Sequence, residues 1–189
     1  MTPNALTTVP GSLAYVAQQG GLTLAESFLN AEMIVLLDQS GSMYARDAGR
    51  GRSRYDAADG ELARLQAQHP GKIALICFSN APTFCPGGVP SRDGGGTDMA
   101  RALGFASVAD GTAEFVLISD GLPDDERQAL AVARDYTSSI HTIYIGPEDD
   151  REGGRAFLER LAAAAKGRTF GRGESTLLAE SVQALLLTA

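Results

Sequence analysis

The sequence predicts an α/β fold, in which a doubly wound, mostly parallel sheet lies between two layers of helices. Short runs of apolar and β-branched residues alternate along the chain with segments whose apolar residues recur every three or four positions. The chain has 189 residues, which is enough for one domain with its own core. Right-handed crossovers between parallel strands would place helices on both faces of the sheet.

Four segments are predicted to be strands that are buried on both faces. Each is a run of apolar residues without the strict alternation that a half-exposed strand shows. They are Met33–Leu37, Lys72–Phe78, Glu114–Ser119 and Ile140–Ile145. The segment Thr83–Gly96 is rich in Gly and Pro, and it could add a short edge hairpin before a loop.

Helices are predicted between and after these strands. Their positions are Tyr55–His69, Thr97–Ala106, a segment that follows Asp125, Gly154–Lys166, and a last segment that carries Leu178, Val182 and Leu185. Residues 1–30 are predicted to be an N-terminal extension with helical turns at Leu13–Gln19 and Leu22–Leu29. Residues 31–189 are predicted to be the domain itself.

Composition and charge exclude several classes of function. The 16 Lys and Arg residues against 23 Asp and Glu residues give a net charge of −7, which disfavours general binding to nucleic acid. No apolar run approaches the length of a membrane span, and the first residues do not resemble a secretory signal. Two cysteines, Cys77 and Cys85, are too few for a disulfide framework. We therefore expect a cytoplasmic protein with reduced thiols and no membrane partner.

Hydroxyl and carboxylate side chains follow three of the predicted elements, at the sheet edge where open α/β folds bind ligands. Hard divalent cations such as Mg²⁺ prefer oxygen ligands of this kind. Alternate residues of an extended segment point the same way, so the first loop can direct three oxygens at one ion. The five candidate ligands are Asp38, Ser40, Ser42, Thr97 and Asp120.

Each of these loops taken alone is also typical of an ordinary turn or helix cap. Three such loops at separate strand ends favour a metal site instead. Because serine and threonine hydroxyls are neutral, a cation bound mainly by them keeps part of its charge. It would therefore attract a further carboxylate from outside the chain.

The three loops resemble the metal-ion-dependent adhesion site of von Willebrand factor A domains. The resemblance rests on Asp38-Gln39-Ser40-Gly41-Ser42-Met43, Gly95-Gly96-Thr97-Asp98 and Ser119-Asp120-Gly121, and it covers about residues 32–187. It implies a six-stranded, mostly parallel sheet with one antiparallel edge strand. It also implies that Ser40, Ser42 and Thr97 bind the cation directly, while Asp38 and Asp120 hold it through water.

The resemblance further implies a function, with Mg²⁺ as the cation, or else Mn²⁺ or Ca²⁺. A partner protein would supply a Glu or Asp to the open position of the metal, and the module would not be an enzyme. The length is closest to that of stand-alone bacterial and phage members. Bacterial members often act as adaptors beside AAA+ ATPases, which suggests such a partner here.

Two alternatives stay open at this stage. A phosphohydrolase of the haloacid dehalogenase type also begins with an aspartate after its first strand and uses Mg²⁺. However, that chemistry needs a second acid two residues later, where this chain has Ser40. The other alternative is a scaffold of the same fold that binds no metal.

Further polar residues are expected at the rim of the proposed site. Arg46, Arg52 and Arg54, together with Arg50, could pair with acidic groups of a partner or could belong to a solvated loop. Asp98 could join the ligands, but it is better explained as favouring the start of a helix. Asp124 could contact a partner, and with Asp125 it is better explained as capping the next helix.

Overall fold

The computed structural model describes residues 8–49 and 51–174, which surround a six-stranded sheet. The strands are β1 (Met33–Asp38), β2 (Ile73–Phe78), β3 (Pro82–Phe84), β4 (Glu114–Ser119), β5 (Ile140–Tyr144) and β6 (Thr169–Phe170). Their order across the sheet is β3-β2-β1-β4-β5-β6. Neighbouring strands are parallel except for β2 and β3, which are antiparallel at one edge.

Six α-helices connect or precede the described strands. They are α1 (Leu13–Gly20), α2 (Leu24–Leu29), α3 (Arg54–Gln68), α4 (Met99–Ala106), α5 (Glu126–Arg134) and α6 (Gly154–Ala164). The longest of them, α3, has 15 residues. None of the described helices is both long enough and apolar enough to cross a membrane.

Both faces of the sheet are covered, which explains why the strand sequences are continuously apolar. Leu62 and Leu65 of α3 pack on one face, against the side of β1 that carries Val35 and Leu37. Helices α4, α5 and α6 pack on the opposite face. A strand with helices on both sides gains from burying every side chain, so alternation disappears.

The predicted fold class and the antiparallel edge strand are confirmed. The four predicted strands and the predicted helices within the described residues begin and end within two residues of their observed bounds. The pairing of Cys77 with Thr83 and of Ile76 with Phe84 forms the edge. Strand β6 has only two residues and gave no signal in the sequence. The predicted helix with Leu178, Val182 and Leu185 lies outside the described residues.

The described part of the N-terminal extension packs against the domain. Leu13 is 1% exposed and belongs to the main core. The backbone N–H of Ala14 donates to the carbonyl of Pro86 at 2.9 Å, and that of Gly71 donates to Gly11 at 2.6 Å. Helix α2 begins with a capping box between Thr23 and Glu26. This segment is therefore integrated into the fold.

Both cysteines are free thiols in the structure. Cys77 is buried on β2, and Cys85 is half-buried just after β3. The pKa of Cys85 is lowered, chiefly because its thiol interacts with that of Cys77. The backbone N–H of Ser91 also interacts with Cys85 and lowers its pKa further. The interaction with Cys85, together with burial, raises the pKa of Cys77.

Candidate metal centre

The parallel pairing of β1 with β4 brings two aspartates to the same edge of the sheet. Leu37 lies opposite Ile118, so the two strands end side by side. Asp38 is the last residue of β1, and Asp120 follows β4 directly. Both residues are buried, with exposures of 0% and 1%. Two carboxylates are thus held together in a place from which water is largely excluded.

Hydrogen bonds fix the carboxylate of Asp38 at this edge. Its Oδ1 accepts from the backbone N–H of Ser40 at 2.8 Å, and its Oδ2 accepts from the hydroxyl of Ser119 at 2.6 Å. Burial first, and then the negative charge of Asp120, raise the pKa of Asp38 to about 6. Keeping the Asp38 carboxylate ionised in the fold therefore costs free energy, and a nearby cation would offset that cost.

Two serine hydroxyls lie together in the first loop, and a backbone hydrogen bond joins this loop to the glycine loop that leads to Thr97. The Oγ atoms of Ser40 and Ser42 lie 3.1 Å apart, but the predicted extended segment is wrong, because Ser42 lies in a 3₁₀ helix that spans Gly41–Tyr44 and this tight turn brings the two hydroxyls together. The N–H of Gly41 donates to the carbonyl of Gly95 at 2.9 Å, which joins the first loop to the glycine loop. Thr97 follows two residues later and is buried.

Asp124 fixes the backbone of Thr97. Its Oδ2 accepts from the N–H of Thr97 at 2.9 Å, and its own N–H donates to the carbonyl of Thr97 at 3.0 Å. A Cβ at Gly96 would lie 2.8 Å from both Asn80 Oδ1 and Asp124 Oδ2, so a larger residue would have to displace both of these side chains. The helix cap that was expected here is made by Asp125 alone, which accepts from the N–H of Gln128.

Replacing Asp124 by alanine should weaken the binding of Mn²⁺ or Mg²⁺. Loss of its carboxylate frees the backbone of Thr97, and loss of such an outer partner typically costs about tenfold or more in metal affinity. Asp125→Ala is the matched control, because it removes the cap of α5 at a cost of about 1 kcal/mol in stability without touching Thr97. Calorimetric titration measures both affinities. Equal affinities in the two variants would contradict a positioning role for Asp124.

Arg54 lies in the interior and not at the exposed rim. Its Nη1 donates to Asp120 Oδ2 at 2.8 Å, while its Nε and Nη2 donate to Asp47 Oδ1 and Oδ2 at 2.9 and 2.7 Å. The residue is only 6% exposed. Ser53 and Asp56 form a capping box that starts α3 at Arg54, which places this side chain in the first turn beside the centre.

The other predicted rim residues are placed as follows. Arg46 and Arg52 are exposed, and each donates to a nearby backbone carbonyl, that of Gly51 and that of Asp56. Asp98 caps α4 by accepting from the N–H of Arg101 at 3.0 Å, so one of its oxygens is already in use. Arg50 lies outside the described residues.

The residues at this edge fit a divalent cation. Asp120 Oδ1 is buried and has no hydrogen-bond partner among residues 8–49 and 51–174, so a carboxylate oxygen is left without the interaction that burial normally requires. Within the described residues, no group of three or more His, Cys, Asp or Glu side chains could hold a metal. The donors are therefore a mixture of two carboxylates and neutral hydroxyls, all of them hard oxygens.

The contribution of Asp38 to the stability of the metal-free chain should fall as the pH rises from about 4 to 7. The pKa of Asp38 is about 6 in the fold against an ordinary value of 3.8, so the folded state holds this proton more tightly than the unfolded state. Its stabilising contribution is complete below the ordinary value and is lost as the pH rises through 6. This shift corresponds to about 3 kcal/mol.

Urea unfolding in EDTA at a series of pH values tests this expectation. The difference in unfolding free energy between the wild type and Asp38→Asn should change in favour of the variant as the pH rises through 6. A difference that stays constant between pH 4 and 7 would show that Asp38 titrates normally in the fold.

Comparison with known proteins gives structural but not sequence matches. No protein-family model and no curated protein sequence matches the chain. Among solved structures, an aerotolerance-related membrane protein from Bacteroides fragilis aligns with a TM-score of 0.65 at 19% identity, over 84% of this chain and 100% of that one. Manganese-loaded TRAP protein from Plasmodium vivax aligns with a TM-score of 0.54 at 16% identity, over 82% and 74%.

A third matching structure is described as a vWF domain. The vWF domain of the type V pili tip protein Mfa5 from Porphyromonas gingivalis aligns with a TM-score of 0.52 at 13% identity, over 82% of this chain and 93% of that one. At these identities the matches establish the architecture alone. Together with the strand order and the single antiparallel edge, they show that this chain has the fold of von Willebrand factor A domains.

Proposed function

We propose that this chain is a protein-binding module that uses a divalent cation to bind a carboxylate of a partner protein. The observation that carries the proposal is the buried Oδ1 of Asp120, which has no hydrogen-bond partner in the part of the chain that the structure describes, beside the carboxylate of Asp38 and the paired hydroxyls of Ser40 and Ser42. Mg²⁺ is the first choice of cation, and Mn²⁺ or Ca²⁺ accepts the same hard oxygen donors.

The division of labour among the residues follows from their charges. Ser40, Ser42 and Thr97 would offer neutral oxygens, while Asp38 and Asp120 would stabilise the cation from the buried side. When bound, the cation supplies a centre of positive charge that a Glu or Asp side chain of a partner can approach. The chain's own contribution is to hold these oxygens in place and to exclude water behind them.

The structural neighbours support this proposal in a limited way. A protein of the same fold is described as manganese-loaded, and another is a pilus tip protein. These neighbours are consistent with a fold that can bind a metal ion and can occur in a protein that contacts other proteins. The motif resemblance adds an AAA+ ATPase system as a suggested source of the partner.

A phosphohydrolase of the haloacid dehalogenase type also needs a lysine close to the phosphate. The positions of Lys72 and Lys166 do not favour that function. Lys72 pairs with Glu32 at 2.7 Å, just before β1, and Lys166 donates to the carbonyl of Thr137 ahead of β5. Both therefore lie at the amino ends of strands, away from the candidate site. We expect no Mg²⁺-dependent hydrolysis of an aryl phosphate, and turnover that Asp38→Asn abolishes would reverse this conclusion.

Affinity capture in three conditions tests the proposed function. The wild type is immobilised in Mg²⁺ and in EDTA, and the Ser40→Ala, Ser42→Ala double variant is immobilised in Mg²⁺. We expect a specific partner only with the wild type in Mg²⁺, and we expect its capture to be lost when one Glu or Asp of that partner is replaced by alanine. The same proteins in all three conditions would instead indicate a scaffold that works without metal.

A further inference from the structure

We propose that Arg54 is a positioning residue that sets the charge of the metal centre, so that the loaded centre favours an anionic ligand at the expense of tight cation binding. This inference rests on the proposed function. It is carried by a buried guanidinium that donates to Asp120 Oδ2 at 2.8 Å. Nothing in the motif pattern of the three loops requires an arginine at this place.

The two sides of the Arg54 guanidinium face different environments. On one side is Asp120, whose side chain is fully buried, and on the other is Asp47, whose side chain is 38% exposed. Solvent screens the charge of Asp47 more strongly than that of Asp120. Asp47 accepts two of the three hydrogen bonds of the guanidinium and offsets part of its charge, and the part that is not offset acts on the buried centre.

A count of formal charges shows the consequence. Among the buried groups, Asp38 and Asp120 carry two negative charges and Arg54 carries one positive charge; Asp47 is left out of this count because its side chain is 38% exposed and solvent screens its charge. A divalent cation then leaves the centre with one positive charge, which one incoming carboxylate neutralises. Without Arg54, the loaded centre would already be neutral, and the same carboxylate would leave an uncompensated negative charge.

The hydrogen bond also settles which oxygen of Asp120 remains available. Arg54 occupies Oδ2, and Oδ1 is the buried oxygen that has no partner in the structure. The contact thus fixes the rotation of the carboxylate and leaves a single oxygen for the centre. The orientation favours cation binding whereas the positive charge opposes it, and we expect the charge to dominate because it lies in a buried place where solvent screens it little.

Mn²⁺ affinity and acetate binding test this inference. Titration calorimetry gives the affinity for Mn²⁺, and the relaxation rate of water protons reports the displacement of Mn²⁺-bound water by acetate. We expect Arg54→Met to bind Mn²⁺ about tenfold or more tighter and to bind acetate about tenfold more weakly, since one nearby charge has been removed. Arg54→Lys, which keeps the charge, should stay closer to the wild type in both measurements.

A second variant tests the same idea without disturbing the buried residues. Asp47→Asn leaves Arg54 in place and removes the opposing charge. It should therefore shift both affinities in the opposite direction, with weaker Mn²⁺ and tighter acetate binding. Arg134→Met, at the exposed end of α5, is the control for the loss of a positive charge elsewhere.

The outcomes separate this inference from the proposed function. Wild-type chain that binds Mn²⁺ and acetate, with unchanged affinities in the Arg54 and Asp47 variants, would overturn the role of Arg54 alone. Wild-type chain that binds no Mn²⁺ would overturn the metal-dependent function and this inference together. Opposite shifts in Arg54→Met and Asp47→Asn would support the inference, because a general loss of structure would weaken Mn²⁺ binding in both.

Discussion

Replacing Ser40 and Ser42 together by alanine should abolish the stabilisation of the chain by Mg²⁺. A ligand that binds only the folded state stabilises it by about 2.7 kcal/mol at a hundredfold excess over its dissociation constant. The wild type should gain about this much, whereas the double variant lacks two of the three proposed neutral ligands. Urea unfolding in Mg²⁺ and in EDTA measures the gain for each chain.

The double variant should still fold, which makes the comparison clean. The contact that anchors this loop is made by the backbone N–H of Ser40 to Asp38, and alanine keeps it. Ser107→Ala is the control, since this exposed serine bonds only to the carbonyl of Gly104 near the end of α4. If the double variant keeps the full increase in unfolding free energy in Mg²⁺, the cation binds elsewhere on the chain.

Replacing Arg54 by methionine should destabilise the metal-free chain by about 3–5 kcal/mol. Removal of one partner from a buried ion pair leaves the other charge without compensation, and Asp120 has no exposed surface through which water could compensate it. Part of this loss should return in saturating Mn²⁺, because the cation then takes over the charge. Urea unfolding in EDTA and in Mn²⁺ gives both values.

A neighbouring arginine, Arg52, provides the control for the prediction on Arg54. Arg52 is exposed and donates only to a backbone carbonyl, so Arg52→Met should change the unfolding free energy by less than about 0.5 kcal/mol. An equally small effect in Arg54→Met would mean that the buried pair contributes little. It would also remove the basis for a charge-setting role.

The fold and the convergence of the three loops could be predicted because their causes are local or topological. Strands β1 and β4 are continuously apolar, and parallel strands end at the same edge, so Asp38 and Asp120 were expected at one edge; the pairing of β1 with β4 makes them neighbours. The hydroxyls of Ser40 and Ser42 are close for a different reason than the one predicted, because Ser42 lies in the 3₁₀ helix Gly41–Tyr44 and not in an extended segment.

The roles of Arg54 and Asp124 could not be predicted in the same way. Four arginines occur within nine residues, and although the Ser53–Asp56 capping box places Arg54 at the start of α3, nothing in the sequence shows that this arginine is the buried one. Arg54 is buried because Asp120, 66 positions away, offers a charged partner. Asp124 and Asp125 are equally good helix caps by composition, and the backbone of Thr97 decides which of them acts as one.

Anomalous scattering from a crystal grown with Mn²⁺ tests the central claim most directly. The account predicts one strong peak within bonding distance of the hydroxyl oxygens of Ser40, Ser42 and Thr97, on the side of the carboxylates of Asp38 and Asp120. Such a peak should vanish in the double serine variant. Full occupancy of Mn²⁺ at another place on the chain, with none at this edge of the sheet, would contradict the account.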